Sequence, residues 1–427
     1  MAKKMNFIIL LILVLISLFF SYPYAITGSR PNINTGDTAW MIVASAMVLI
    51  MTFGLAFFYG GMISRKNIIS TMLQSFVALG IISIVWVLIG FSLAFGEDIY
   101  GIIGNPLTYF NFKNVSISPN PTFAATIPFL LFALFQLKFA IITPALITGS
   151  FAERIRFRSY ILFMVLFSIF IYSPLAHMTW HPEGIFRKWG VLDFAGGTVV
   201  HMSAGFAALA GAMYLGKRKN ISEDPSNIPF VILGTGLLWF GWFGFNSGSA
   251  FGANGDAVIA FANTNLASAT SMITWIFFDR FLNRKMSAMG ACIGAVVGLV
   301  AITPAAGYVT LGQSIFIGFV ASLVSNLVIR MSKKTTIDDT LDVFPSHGVG
   351  GIVGMLLTGI LAKDKGLIYG DATTFLYHLL ALVIVSLFTF FGSLLLYKIT
   401  DLILPMRVKE DHEHRGLDDS QHGERLI

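Results

Sequence analysis

Two acid–histidine pairs carry the chemistry most readily read from this chain: Asp193 with His201 in LDFAGGTVVHMSAG, and Asp342 with His347 in DVFPSHGVGGIVG. Both sit in runs of small and oily residues, where an ionisable side chain is costly unless it faces a bundle interior or a cavity. Imidazole changes charge near neutral pH and both donates and accepts hydrogen bonds, so the two histidines point to relay of a proton or passage of a polar solute. Eight residues of helix separate Asp193 from His201 by about 12 Å along the axis, too far for a direct hydrogen bond. They must do different jobs. Asp193 falls where its apolar run begins and reads as a carboxylate accepting free amide protons at a helix amino terminus, with help in holding a cation as a secondary role. Gly348, Gly350, Gly351 and Gly354 follow His347 and would let a neighbouring helix approach closely.

The elements that position these residues follow from composition. The 427 residues are 56% hydrophobic and 12% charged, with mean hydropathy +0.77, whereas soluble domains carry about twice that charged share. This is an integral membrane protein. Its 41 glycines and 14% aromatic content suit closely packed membrane helices. Cys292 is the one cysteine, so there is no disulfide framework or thiolate metal cluster. The +6 balance does not point to nucleic acid, because the basic residues lie in short loops and form no tract.

The first 25 residues, with two lysines, an apolar stretch and Ala25, read as a cleaved secretory signal peptide. Eleven further apolar stretches suit a hydrocarbon thickness of about 30 Å: 39–63, 67–95, 123–149, 157–176, 194–216, 228–248, 256–279, 286–303, 311–330, 344–362 and 372–401. With the mature start outside, fourteen loop lysines and arginines fall inside against six outside. That charge bias places the carboxyl terminus in the cytoplasm. FGLAFFYGGM in the first span is echoed by FGWFGFNSGSA in the sixth, and Asp193–His201 in the fifth by Asp342–His347 in the tenth. Two blocks of five spans insert in opposite orientations, an arrangement that places a transport site near the midplane where the halves meet. The expected fold is thus all-α: eleven transmembrane helices, two inverted five-helix repeats plus a last helix.

DFAGGTVVHMSAG, FYGGMISRKN, FAIITPALITGSFAERIRF, AHMTWHPEG, GWFGFNSGSA and DVFPSHGVGGIVG together resemble the ammonium transporter family, prokaryotic type, with the Rhesus proteins as distant relatives. The resemblance runs from about Asp37 to Gly423. It implies a membrane domain over 26–406, a cytoplasmic tail over 407–427, a multi-pass plasma membrane protein and a homotrimer with one pore per subunit. Ammonium or ammonia is the implied cargo, with no cofactor. On the matching motifs His201 and His347 take the places of two pore histidines, and Phe139 and Phe245 those of a stacked pair across the outer entrance. Trp180 and Ser249 match the outer recruitment site, Asp193 the aspartate near it, and Trp242 a pore-lining tryptophan. The tail resembles one that packs under the subunits and supports regulation by a PII-type signalling protein, whereas its charged composition alone reads as disordered.

Ammonium and potassium are alike in size and charge, so telling them apart needs hydrogen-bond geometry or proton transfer. Aromatic faces such as Phe139 and Trp180 attract a cation by about 0.5–2 kcal/mol, and the Ser249 hydroxyl can accept a hydrogen bond from an N–H proton that potassium lacks. An apolar wall beyond them penalises the charged form. Ammonium can shed its proton and go on as ammonia. His177 and His181, flanking Trp180, read as solvated outer-loop residues; Lys138 beside Phe139 reads as reaching the interface or pairing with Glu97 or Asp98; and Phe53 stands where many members have proline. Two other functions compete. An intramembrane enzyme would need a nucleophile or metal signature beside the histidines, and none is evident. An ammonium sensor would keep the pore fold and be favoured by an appended signalling domain, which the short tail after Met406 does not offer.

Overall fold

The computed structural model describes residues 8, 11–16, 18, 33–219, 221 and 224–426. Much of the leader read at 1–25, with its cleavage point after Ala25, lies outside the described residues. From Thr35 the chain is a helical bundle. Its first five helices are α1 (Thr35–Met62), α2 (Ile68–Val85, continued through a π-turn at Trp86–Gly90 into Phe91–Phe95), α3 (Phe129–Ile147), α4 (Phe157–Phe167, continued through a π-turn at Ser168–Tyr172 into Ser173–Trp180) and α5 (a π-turn, Gly197–Met202, then Ser203–Leu215). There follow α6 (Ile228–Gly248), α7 (Gly255–Phe281), α8 (Ala288–Ile302), α9 (Leu311–Ser332), α10 (a π-turn, Phe344–Val349, then Gly350–Leu361), α11 (Ala372–Ile403) and a short tail helix, α12 (Glu410–Arg415).

Among the described residues nine helices are long and apolar enough to cross a bilayer, and the protein is a multi-pass membrane protein. Helices α7 and α8 are not among the nine. α7 carries Asn263, Thr264, Ser268 and Ser271 on its buried face, and α8 has 15 residues. Those polar groups serve packing: Ser271 donates to Gly294 O of α8 at 2.6 Å, and Asn263 donates to Ala306 O and Val309 O at 2.9 and 2.8 Å. The stretch expected to span from 123 begins its helix only at Phe129. Residues Ala124–Pro128 (β4) pair antiparallel with Pro119–Asn120 (β3), beside a smaller hairpin of Asp98–Ile99 (β1) and Ile103–Gly104 (β2). Pro128 keeps Ile127 extended, since the residue before a proline is pushed out of the helical region.

Glycine sets two close helix crossings. Helix α1 lies against α6, where a Cβ on Gly234 would stand 2.3 Å from Phe58 N. Helix α5 crosses α10, where a Cβ on Gly205 would stand 2.2 Å from Gly348 N. Gly205 is one turn beyond His201 and Gly348 is next to His347, so this crossing brings the two histidines face to face.

The tail is ordered, contrary to what its composition alone suggests. Its polar groups satisfy helix ends that would otherwise present free amides. Asp418 accepts from Ile69 N and Ser70 N at the start of α2, and Gln421 accepts from Phe157 N at the start of α4. Arg407 donates to Leu215 O and Lys217 O and pairs with buried Glu413, while Leu417 N donates to Asn67. Beside it, Glu153 accepts from Ser64 N, Ser64 Oγ, Asn67 and Arg218, and Arg218 also grips Asp338 at 2.9 Å. Burial works against both carboxylates, yet hydrogen bonding from Ser64 with pairing to Arg218 holds Glu153 below the usual carboxylate range, and Arg218 does the same for Asp338.

Candidate functional site

Helix α5 does not begin as an ordinary α-helix. Asp193 gathers its first amides: Gly196 N and Gly197 N donate to Oδ1 at 2.8 and 2.6 Å, and Thr198 N and Oγ1 donate to Oδ2 at 2.8 and 2.5 Å. Gly196 turns the chain with φ 115, a region open to glycine. Four donors thus occupy the Asp193 carboxylate. The π-turn that follows carries His201 in its fifth place. Wide turns of this kind re-aim side chains and recur at functional sites.

The start of α10 repeats the device. Phe344 N donates to Asp339 Oδ2 at 2.7 Å, and the π-turn Phe344–Val349 carries His347. The counterpart of Asp193 is therefore Asp339, which stands eight residues before its histidine as Asp193 does before His201. Asp342, the acid paired with His347 on sequence, instead occupies the turn at φ 53. Exact spacing was the signal available, in the run DDTLDVFPSH. Burial pushes the Asp339 carboxyl up to about 6, against the amides of Phe344 and Val343 that favour its charge.

The ring side chains form a continuous file. Trp180 meets Phe139 edge to face at 5.9 Å, Phe139 stacks on Phe245 at 4.1 Å and 27°, Phe245 lies 6.0 Å from His201, and His201 lies 5.5 Å from His347 at 21°. The two imidazoles meet Nδ1 to Nδ1 at 3.4 Å. Trp242 stacks on His201 at 5.3 Å and 15°. All of these rings except Trp180 are at most 3% exposed. His201 Nε2 is buried without a hydrogen-bond partner.

The Trp180 end of the file is held from several sides. Trp180 Nε1 donates to Asp193 O at 3.2 Å, which joins the tryptophan to the cap of α5. Ser249, half-buried at the end of α6, donates to Phe245 O at 2.9 Å and keeps its oxygen lone pairs for another donor. At the His347 end a cavity of about 10 Å³ opens, lined by Phe58, Tyr59, Ile293, Val343 and Ser346 among others. One residue that sequence reasoning missed is Thr303. Its hydroxyl accepts from Trp242 Nε1 at 2.9 Å and donates to Leu299 O at 2.8 Å, so it fixes the tryptophan that backs His201.

Two other readings change. His177 is wholly buried, bonded to Ala94 O at 3.1 Å and Asp98 at 2.9 Å, and His181, 7% exposed, stacks on it at 4.3 Å. Neither is a solvated loop side chain, because helix α4 runs on to Trp180 and carries His177 inside the bundle. Asp98 is thereby occupied, and half-buried Lys138 pairs with neither it nor Glu97. Phe53 leaves α1 uninterrupted and rests on Phe76 at 5.7 Å.

Comparison with known proteins identifies the fold and the family. The Ammonium Transporter Family model matches residues 39–426. An ammonium transporter of Aquifex aeolicus is 45% identical over 419 residues, covering 96% of this chain and 97% of that one. The crystal structure of Saccharomyces cerevisiae Mep2 superposes with TM-score 0.84 at 34% identity, over 89% of each chain. A structure described as a sensor Amt protein superposes with TM-score 0.83 at 28% identity, covering 91% of this chain and 98% of that one. With the family model matching nearly the whole described bundle and the motif residues gathered in one file of rings, the chain belongs to the ammonium transporter family.

Proposed function

We propose that the ring file is the conduction path, and that the protein recruits ammonium at Phe139, Trp180 and Ser249, strips a proton from it and passes ammonia between His201 and His347. The observation that carries this reading is the Nδ1–Nδ1 contact at 3.4 Å with His201 Nε2 left unpartnered. A hydrogen bond between two like nitrogens requires one proton between them, so one neutral ring donates and the other accepts. The outward Nε2 atoms then differ, one carrying hydrogen and the other bare. Ammonia, with one lone pair and three N–H groups, is matched to both.

A proton that reaches one Nε2 can leave from the other by shifting the shared hydrogen, which supplies a relay separate from the ammonia itself. The Phe139–Phe245 stack closes the way for a hydrated ion, and a charge at membrane depth costs about 2.5–3.5 kcal/mol even on the most lenient scale. Potassium has no proton to give up and stops at the stack. Asp193 and Trp180 set the entrance, Trp242 and Thr303 hold His201 upright, and no covalent step is needed.

The same reading extends to the whole assembly. Eleven spans arranged as two inverted five-helix repeats plus a last helix, an outside amino terminus after signal cleavage and a cytoplasmic tail account for α1 lying on α6 and α5 on α10. The protein works as a homotrimer, and the ordered tail is the docking element for a PII-type partner. The test is flux of ammonium or methylammonium into proteoliposomes, with potassium as the control. Selective flux that is lost or turned into a cation leak in His201→Ala and His347→Ala supports the reading. Absence of flux in the wild type, or wild-type flux and selectivity in both variants, overturns it.

A further inference from the structure

Outside the stack the aromatic lining continues beyond the residues assigned above. Phe251, two residues past Ser249, is held at φ 53 on the turn between α6 and α7. Its half-buried ring lies 5.2 Å from Phe132 and 5.9 Å, edge to face, from Phe135. Phe135 in turn meets Phe139 edge to face at 5.0 Å. The turn is pinned from below: Asp37, in the first turn of α1, accepts from Ala253 N at 2.9 Å. An aromatic residue in left-handed backbone is unusual, and here an acidic group and two rings hold it in place.

Gln136 adds a polar group at the same level. It is 4% exposed and its side-chain oxygen has no hydrogen-bond partner. A buried amide oxygen left unmatched is disfavoured by about 1–3 kcal/mol, so the Gln136 oxygen favours any N–H donor that reaches it. Helical spacing places Gln136 on one face of α3 with Phe132, four residues before it, and Phe139, three residues after it. These are the rings that touch Phe251 at one end and Phe245 at the other.

We propose that Gln136 and Phe251 form an outer rung of the cation site, ahead of Phe139, Trp180 and Ser249, that sorts ammonium-type cations by their N–H groups and alkyl substituents. The inference rests on the conduction reading above and deepens it. Gln136 offers an acceptor that ammonium and alkylammonium both use and potassium does not. Phe251 offers an apolar, electron-rich surface to the weakly hydrated methyl side of methylammonium, whereas ammonium keeps its water there and gains less.

The test uses full-length protein in liposomes, with half-saturation and maximal rate measured separately for ammonium and for methylammonium. Phe251→Leu is expected to raise the methylammonium half-saturation about two- to fivefold, the size of an exposed cation–π contact, and to shift that for ammonium less. Phe251→Trp keeps the wild-type preference. Gln136→Leu raises both half-saturations together, and Gln136→Glu lowers both; the second variant decides the matter where the first does not fold. Unchanged half-saturations for both cations in Phe251→Leu and in the folded Gln136 variants overturn the outer rung. A wild-type protein that conducts neither cation overturns the conduction reading instead, so the two failures are distinct.

Discussion

Replacing Gly205 with alanine alters the histidine pair without touching either histidine. The new Cβ would stand 2.2 Å from Gly348 N and 2.3 Å from Gly348 Cα, where ordinary contact begins at 3.4 Å. Both obstacles are backbone, so no rotamer change relieves them. Close-packed helices do not absorb such an overlap locally, and α5 and α10 must part by about 1 Å, at a stability cost of about 1–3 kcal/mol for overpacking. The Nδ1–Nδ1 contact at 3.4 Å is already long, and a further shift of about 1 Å ends it as a hydrogen bond. Misplacement of that size costs on the order of 100-fold in rate where geometry controls the step. The assay is ammonium flux into proteoliposomes beside potassium flux, with thermal melting and size-exclusion elution of the same preparations. Gly236→Ala is the matched control, since nothing lies within 4 Å of its added methyl. Folded Gly205→Ala protein with wild-type flux and selectivity would show that the imidazole contact is not part of the path.

Thr303→Val leaves the buried Trp242 Nε1–H without its acceptor, which costs about 1–3 kcal/mol; a melting temperature lowered by several degrees together with reduced flux is expected, and an unchanged melt with unchanged flux removes Thr303 from the support of His201. Trp180→Leu combined with Ser249→Ala is expected to raise the half-saturation for ammonium more than it alters the maximal rate; an unchanged concentration dependence takes both residues out of recruitment. Burial and the nearby Asp339 push the Asp342 carboxyl up to about 7, while in the unfolded chain it titrates near about 3.9. Its ionisation therefore costs stability that is fully present below about pH 4 and lost as pH rises through about 7. Asp342→Asn is expected to melt higher than wild type at pH 8 and equally at pH 4, and equal melts at pH 8 refute that environment for Asp342.

What was legible in the sequence follows from the physics of each residue. The helices α1, α2, α6, α9 and α11 were plain because a bilayer demands about 20 apolar residues in a run, and that demand shows in composition. Residues 124–128 carry the same oily composition but end on Pro128, and the extended backbone there took them into a hairpin. His177 looked solvated because Trp180 and His181 suggest an interfacial loop. Its burial depends on how far α4 continues and on Asp98 from a distant hairpin, which no local pattern records. The tail misled for a related reason: acids and amides that look suited to water are the groups that cap buried helix starts, as Asp418 and Gln421 do. Thr303 was invisible because a threonine among so many other small residues gains its role only from the Trp242 indole across the bundle.

The pairing of acids and histidines leads one step further. Asp193 and Asp339 cap their segments, His201 and His347 follow each at eight residues within a π-turn, and the segments cross glycine to glycine at Gly205 and Gly348. On the inverted-repeat reading a pseudo-two-fold axis passes through this crossing, and residues astride such an axis meet through the same atom, as in an isologous interface. The Nδ1-to-Nδ1 contact is then a product of the fold, not a separately evolved geometry. One proton between two equivalent nitrogens cannot be shared symmetrically by neutral rings, so the surroundings decide which ring holds it. Those surroundings differ: His201 stacks on Trp242 next to the phenyl pair, and His347 borders the small cavity. On the conduction reading, that difference in environment decides which ring holds the shared proton at rest, while the gradient across the membrane sets the direction of net transfer.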